Sequence, residues 1–124
     1  MSHFTTIKIQ ITDREVLLAS LSDLGYKVEQ NTQVRGYQGI HTTAELVIRQ
    51  ANGYDLGFRQ REDGYELVAD LWGAGINHKT FLDQITQKYA HRKLLKTAEV
   101  EGFQIEAEEV LEDGTVRVVV GRWR

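Results

Sequence analysis

Apolar and polar positions change rhythm several times along this chain, and each rhythm predicts an element. At the start Ile7, Ile9 and Ile11 alternate with Thr6, Lys8 and Gln10. Period two is the mark of a half-buried strand. The rhythm lengthens over "ITDREVLLASLSDLGY", where Leu17, Leu21 and Leu24, with Leu18, gather on one helical face. Thr12 is placed to cap that helix, with Glu15 as its capping-box partner and Ile11 and Val16 as a hydrophobic staple. Gly25 predicts a left-handed stop. Tyr26 and Val28 open a second strand, giving a β-α-β beginning.

Residues 30–43, "QNTQVRGYQGIHTT", keep no period. That predicts a loop or irregular edge strand, and the most mobile segment of the chain. Period two returns in "AELVIRQA", "YDLGFRQR" and "YELVADLW", joined by Asn52-Gly53 and Asp63-Gly64. Both dipeptides favour two-residue hairpin turns because they accept positive φ. Such turns set Phe58 opposite Val47 and Ala69, Leu56 opposite Leu71 and Gln60 opposite Leu67, on the buried face. The other face then pairs Arg61 with Glu66 and sets Asp55 against Trp72. Past Gly73 and Gly75, Asn77 caps a helix over about residues 77–90, with Phe81, Ile85 and Tyr89 at i+4 spacing. "HRKLLKTAEVEG" either continues it or forms a short second helix ending at Gly102. "FQIEAEEVLEDGTVRVVVGRW" predicts a hairpin turned by Asp113-Gly114. The expected fold is α+β: an antiparallel-dominated sheet with a β-α-β opening, a three-strand meander and a C-terminal hairpin. Two to three helices pack on one face, and residues 1–124 form a single globular domain.

Composition narrows the function classes. A net charge of −3 gives no basic field to draw nucleic acid or an anionic membrane. The chain has no cysteine, which excludes disulfides, thiolate catalysis and cysteine-ligated metal sites. "MSHFTTIKIQI" has neither the basic start nor the unbroken apolar core of a signal peptide. No run of about 18 apolar residues occurs, so no membrane span is expected.

"MSHF" with "IKIQI", "LSDLGY", "YDLGF", "GYELVADLW", "QITQKYA", "EGFQI" and "EDGTVRVVVGRW" carry a further signal. Together they resemble the hypothetical chloroplast open reading frame 35 family, also known as domain of unknown function 1257, of cyanobacteria and algal plastids. The resemblance covers nearly the whole chain. It implies a lineage and a compartment, the cyanobacterial cytoplasm or plastid stroma. It implies no catalytic residues, because the family has no established activity.

Two groups of residues are candidates for a site. In "LWGAGINHK" a glycine-rich turn leads into a helix, whose free amides and positive dipole end favour anions. Gly75, Asn77, His78 and Lys79 would line such a site, although the full dinucleotide fingerprint and the Walker lysine are missing. The second group is Arg59, Asp70 and Trp72, on the sheet face away from the core, with Arg61 beside them and Arg117, Arg122, Trp123 and Arg124 closing the chain. Arginine beside an aromatic holds an acidic partner or stacks on a base. The competing reading is a solvated or helix-covered face. His3, His41, His78 and His91 make no paired metal spacing, so no metal or other cofactor is expected. Carboxylates at Glu62-Asp63, Glu99/Glu101 and Glu108-Glu109 fall in turns or strand edges and read as solvated surface. Ser20 and Ser22 sit in the first helix without a nucleophile elbow.

The leading expectation is therefore a non-catalytic accessory or binding protein whose partner is another protein. The alternative is a small-ligand or anion-binding enzyme domain using the Gly73–Lys79 turn. RNA binding through the sheet comes third.

Overall fold

The computed structural model describes residues 3–99 in full and the backbone of 100, 103–110 and 116–122. The alternating start pairs as a strand over Thr5–Lys8 (β1), followed by a helix over Arg14–Asp23 (α1). Strands at Val28–Arg35 (β2), His41–Ile48 (β3), Leu56–Arg61 (β4) and Gly64–Ala69 (β5) come next. Then follow a one-turn helix at Leu71–Ala74 (α2), a long helix at His78–Val100 (α3) and strands at Phe103–Val110 (β6) and Val116–Arg122 (β7). The first five strands form one antiparallel sheet in the order β1-β5-β4-β3-β2, and β6 and β7 pair separately. The fold is α+β, as the pattern implied. The turn expected at Asp113-Gly114 and the terminal Trp123 and Arg124 lie outside the described residues, as do the side chains of Arg117 and Arg122.

Local chemistry explains the helix ends. The cap of α1 is Asp13, one residue later than Thr12, because the Asp13 carboxylate accepts the Val16 amide at 3.2 Å. The Thr12 and Asp13 amides instead donate to the Tyr89 hydroxyl of α3, at 3.3 and 3.1 Å. Gly25, at φ +91°, ends α1 in a Schellman arrangement: Tyr26 donates to the Leu21 carbonyl and Gly25 to that of Ser22. Helix α3 continues unbroken through "HRKLLKTAEV". Lys93 and Lys96 reach back from it to Asp13, and Arg92 and Lys88 to Asp23. The Lys96 hydrogen bond leads in holding the Asp13 carboxyl well below the usual carboxylate range; burial opposes it, and the Val16 amide and Lys93 add to it. Tyr89→Phe removes the acceptor for two amides at the start of α1. It should cost about 1–3 kcal/mol in urea unfolding, and a change near zero would mean water replaces the phenol there.

The register differs from the sequence expectation in two places. Phe58 pairs with Leu46 and Leu67, in place of Val47 and Ala69. The β3–β4 connection is not a two-residue turn, because residues 49–55 are drawn into other contacts. The Asn52 side chain accepts the Tyr54 amide and donates to the Gly73 and Ala74 carbonyls, while Asp55 is captured by arginines. That one-residue shift turns Val47 to the opposite face. Between β4 and β5 the turn is Glu62-Asp63, and Gly64 (φ +137°) already pairs with Arg61. This two-residue slip keeps parity, so Leu67 and Ala69 still face the helices. Strand β5 ends at Ala69, so Leu71 and Trp72 belong to α2 and Asp55 does not oppose Trp72.

The helix-side core joins Leu46, Ile48, Leu56, Phe58, Leu67 and Ala69 of the sheet to Val16, Leu17 and Leu21 of α1 and Phe81, Ile85 and Tyr89 of α3. The second face has its own cover. Residues 30–43, expected to be a loop or an irregular edge strand, form most of a β2–β3 hairpin with β2 at the edge of the sheet, and beyond Asn31 (φ 53°) it bends across the sheet as a flap. Val34 and Ala44 bury against Val47, with Phe4 packed alongside. The fit over Gly57 is close: a Cβ there would lie 2.3 Å from Val34 Cγ2. The Asp55 amide donates to the Arg35 carbonyl at 3.0 Å, tying the flap to β4.

Candidate functional site

Two carboxylates anchor the flap to the sheet. Asp55 is fully buried. Arg35 holds it through Nε to Oδ2 at 2.8 Å and Nη2 to Oδ1 at 2.9 Å, and Arg49 adds Nη1 to Oδ2 at 2.7 Å. The amides of Arg35 and Gln50 donate to it as well. Burial pushes the Asp55 pKa upward, but these donors outweigh it and hold the group at about 2. This constellation escaped the sequence reading because its members are separated by up to 20 residues and share no motif.

The second anchor is Asp70, where β5 leaves the sheet. Its carbonyl accepts the Gly73 and Ala74 amides, which starts α2. Its Oδ2 accepts the Tyr37 amide from the tip of the flap at 3.0 Å. Gly36 leaves no spare room there: a Cβ would sit 3.1–3.2 Å from Ile40, Asp70 and Phe4. The flap tip therefore seats Tyr37 beside α2, where its ring meets Trp72 edge to face at 5.5 Å and 84°. Trp72 is 69% exposed, Ile40 39% and Tyr37 36%, three of the four large apolar side chains exposed among the described residues. The fourth, Leu94, lies on α3.

The expected grouping of Arg59, Asp70 and Trp72 is thus rearranged. Asp70 is buried under the flap rather than displayed on a sheet face. Trp72 is displayed by α2. Arg59 binds Glu66 Oε1 at 2.9 Å and reaches Thr42 on the flap, while Arg61 binds the same Glu66 oxygen at 2.8 Å. Burial works against Glu66 ionisation, yet the two arginines keep its pKa below the ordinary value. Both arginines offered for RNA are therefore engaged within the sheet. Tyr37 and Ile40 were missed in the sequence, where "RGYQGIH" offers only two glycines around scattered apolar residues.

The Gly73–Lys79 turn does gather Gly75, Asn77, His78 and Lys79 on the surface. Each glycine has a local reason: a Cβ at Gly73 would lie 2.0 Å from the Tyr54 ring, and Gly75 has φ +71°. Asn77 caps α3, its Oδ1 accepting the Thr80 amide at 3.1 Å, so the protein itself fills part of the space an anion would take. A groove of about 730 Å³ between α1 and α3 is lined by charges of both signs, among them Asp23 and Arg92, which bind one another.

A family model described as "Protein of unknown function (DUF1257)" matches residues 20–119. The chain belongs to this family. "Uncharacterized protein ycf35" of Guillardia theta is 41% identical, covering 100% of this chain and 99% of that protein. The proteins of the same name from Cyanophora paradoxa (36%; 100% and 99%) and Pyropia yezoensis (32%; 99% and 98%) are similar over the same span. The resemblance read from "MSHF" and "GYELVADLW" is thereby borne out, and with it a lineage of plastid reading frames. No solved structure matches the DUF1257 chain. Among its described residues, no helix is long and apolar enough to cross a membrane.

Proposed function

We propose that this DUF1257 protein is a non-catalytic binding protein that docks another protein through Trp72, Tyr37 and Ile40, in the cyanobacterial cytoplasm or plastid stroma. One observation carries the reading: Trp72 is 69% exposed on a turn that is otherwise held firmly. The carbonyls of α2 accept Gln50 and Asn52 side-chain amides, and Asp70 ties the turn to the flap. A rigid, water-exposed tryptophan flanked by a tyrosine is the composition of an interface hot spot, where one side chain is worth about 2 kcal/mol or more. Holding it in place beforehand lowers the ordering cost of binding.

Affinity capture from a cyanobacterial lysate tests this with three baits: the native chain, Trp72→Ala and Leu94→Ala. Trp72→Ala should stay folded, within about 0.5 kcal/mol of the native stability. It should also lose the captured protein by about tenfold or more. Leu94→Ala, which alters an exposed apolar residue on another element, should retain it. Equal capture by the native and Trp72→Ala baits would rule out this patch.

A further inference from the structure

Three carboxylates are buried among the described residues: Asp55, Glu66 and Asp70. They are not treated alike. Asp55 holds Arg35 and Arg49, and Glu66 holds Arg59 and Arg61. Asp70 is fully buried, receives the Tyr37 amide on Oδ2, and has no hydrogen-bond partner on Oδ1. Among the described residues no ion pair reaches it. Nor does its side chain cap α2, although it stands at the N-cap position. A buried acceptor without a donor is costly, more so when it belongs to a carboxylate. This one lies two residues before the most exposed aromatic ring of the described chain.

We propose that Asp70, with Trp72 and Tyr37, receives an arginine side chain of the docking partner. The inference rests on the docking reading above and names the chemistry recognised at that site. Guanidinium is the group that satisfies both features at once. Its N–H groups supply the donor and the positive charge that Oδ1 lacks, and its flat face stacks on indole or phenol. An ammonium gives the charge without the stacking plane. Oδ1 is sealed from solvent, so the guanidinium enters as the flap tip seated against Asp70 lifts. Once seated, the rings exclude water from the new ion pair, which strengthens it. The site therefore selects an arginine flanked by apolar side chains that can cover Ile40.

N-acetyl-argininamide is the probe, titrated into the full chain at millimolar concentration and followed by amide and indole NMR shifts. The neutral citrulline analogue at matched ionic strength is its control. The expected result is a saturable shift of the Tyr37 amide and the Trp72 indole N–H with the arginine probe alone. Asp70→Asn, which keeps the shape and an acceptor for Tyr37, should weaken binding by about tenfold or more. Should Asp70→Asn fail to fold, Trp72→Ala keeps the carboxylate, loses the stacking surface and should also bind more weakly. An equal response to citrulline, or undiminished binding in the folded variants, overturns the inference. If the lysate capture depends on Trp72 while the arginine probe gives no shift, the docking reading stands and this inference falls. A specific arginine shift with capture indifferent to Trp72 overturns the docking reading, and with it the assignment of the arginine to a docking partner, leaving only a site for the free guanidinium.

Discussion

Phe58→Ala should lower the unfolding free energy by about 3–5 kcal/mol. Phe58 has no exposed surface, pairs with Leu46 and Leu67 on its two neighbours, and packs its ring 6.2 Å from that of Phe81 on α3. The side chain thus joins three strands and a helix at one point, and none of them can close the gap alone. Domains of this size have a total stability of about 5–15 kcal/mol, so a large part of the margin would be lost. Guanidinium unfolding followed by far-UV circular dichroism measures it. A loss under about 1 kcal/mol would mean that the helices collapse into the space, contrary to the packing described.

Asp55→Ala should cost about 3 kcal/mol or more, and the damage should be localised. The substitution takes an acceptor from two guanidinium groups and two backbone amides at once. Arg35 and Arg49 have water as an alternative, but the tie between the flap and the start of β4 does not. Hydrogen exchange should show protection lost over residues 31–44 while α1 and α3 keep theirs. The same carboxylate sets an acid dependence. Its pKa is depressed to about 2 in the folded chain, against about 3.9 in an unfolded one. Its contribution is therefore complete above about pH 4 and is lost as pH falls toward the folded value. Trp72 fluorescence, read in a Trp123→Phe background, should report that transition. The component due to Asp55 should be missing in Asp55→Ala, and an unchanged acid profile would show that other carboxylates govern it.

What the sequence made legible was what neighbours in the chain decide. Gly25 stops α1 and Asn77 starts α3 because each acts on amides or carbonyls a few residues away. Phe81, Ile85 and Tyr89 reach the core because helical spacing alone puts them on one face. The alternating strands were likewise visible, but their register was not. Asn52-Gly53 has the chemistry of a tight hairpin, yet Asn52 is taken up by α2 and Asp55 by Arg35, contacts between residues 20 or more positions apart that no local pattern records. The flap was legible only as a loop or an irregular edge strand, for a different reason. It covers a small apolar patch and needs only Val34 and Ala44 to do so, which leaves too few apolar positions to establish a period. Of the site, Trp72 and Asp70 were visible as residue types. Their arrangement depends on the tip of that flap, so Tyr37 and Ile40 could not be added from the sequence.

The place of β1 in the sheet bears on synthesis. Its one neighbour is β5, whose residues Glu66–Ala69 supply all of its pairing. The chain must therefore reach position 66 before its first strand has anything to bond with, and 69 before the pairing is complete, whereas β2 and β3 can pair as soon as both are made. Contacts this distant in sequence form slowly, and unpaired strand edges invite association meanwhile. A nascent chain halted before Gly64 presents β1 without a partner strand. One halted before Tyr89 leaves the Thr12 and Asp13 amides, just ahead of α1, without their acceptor.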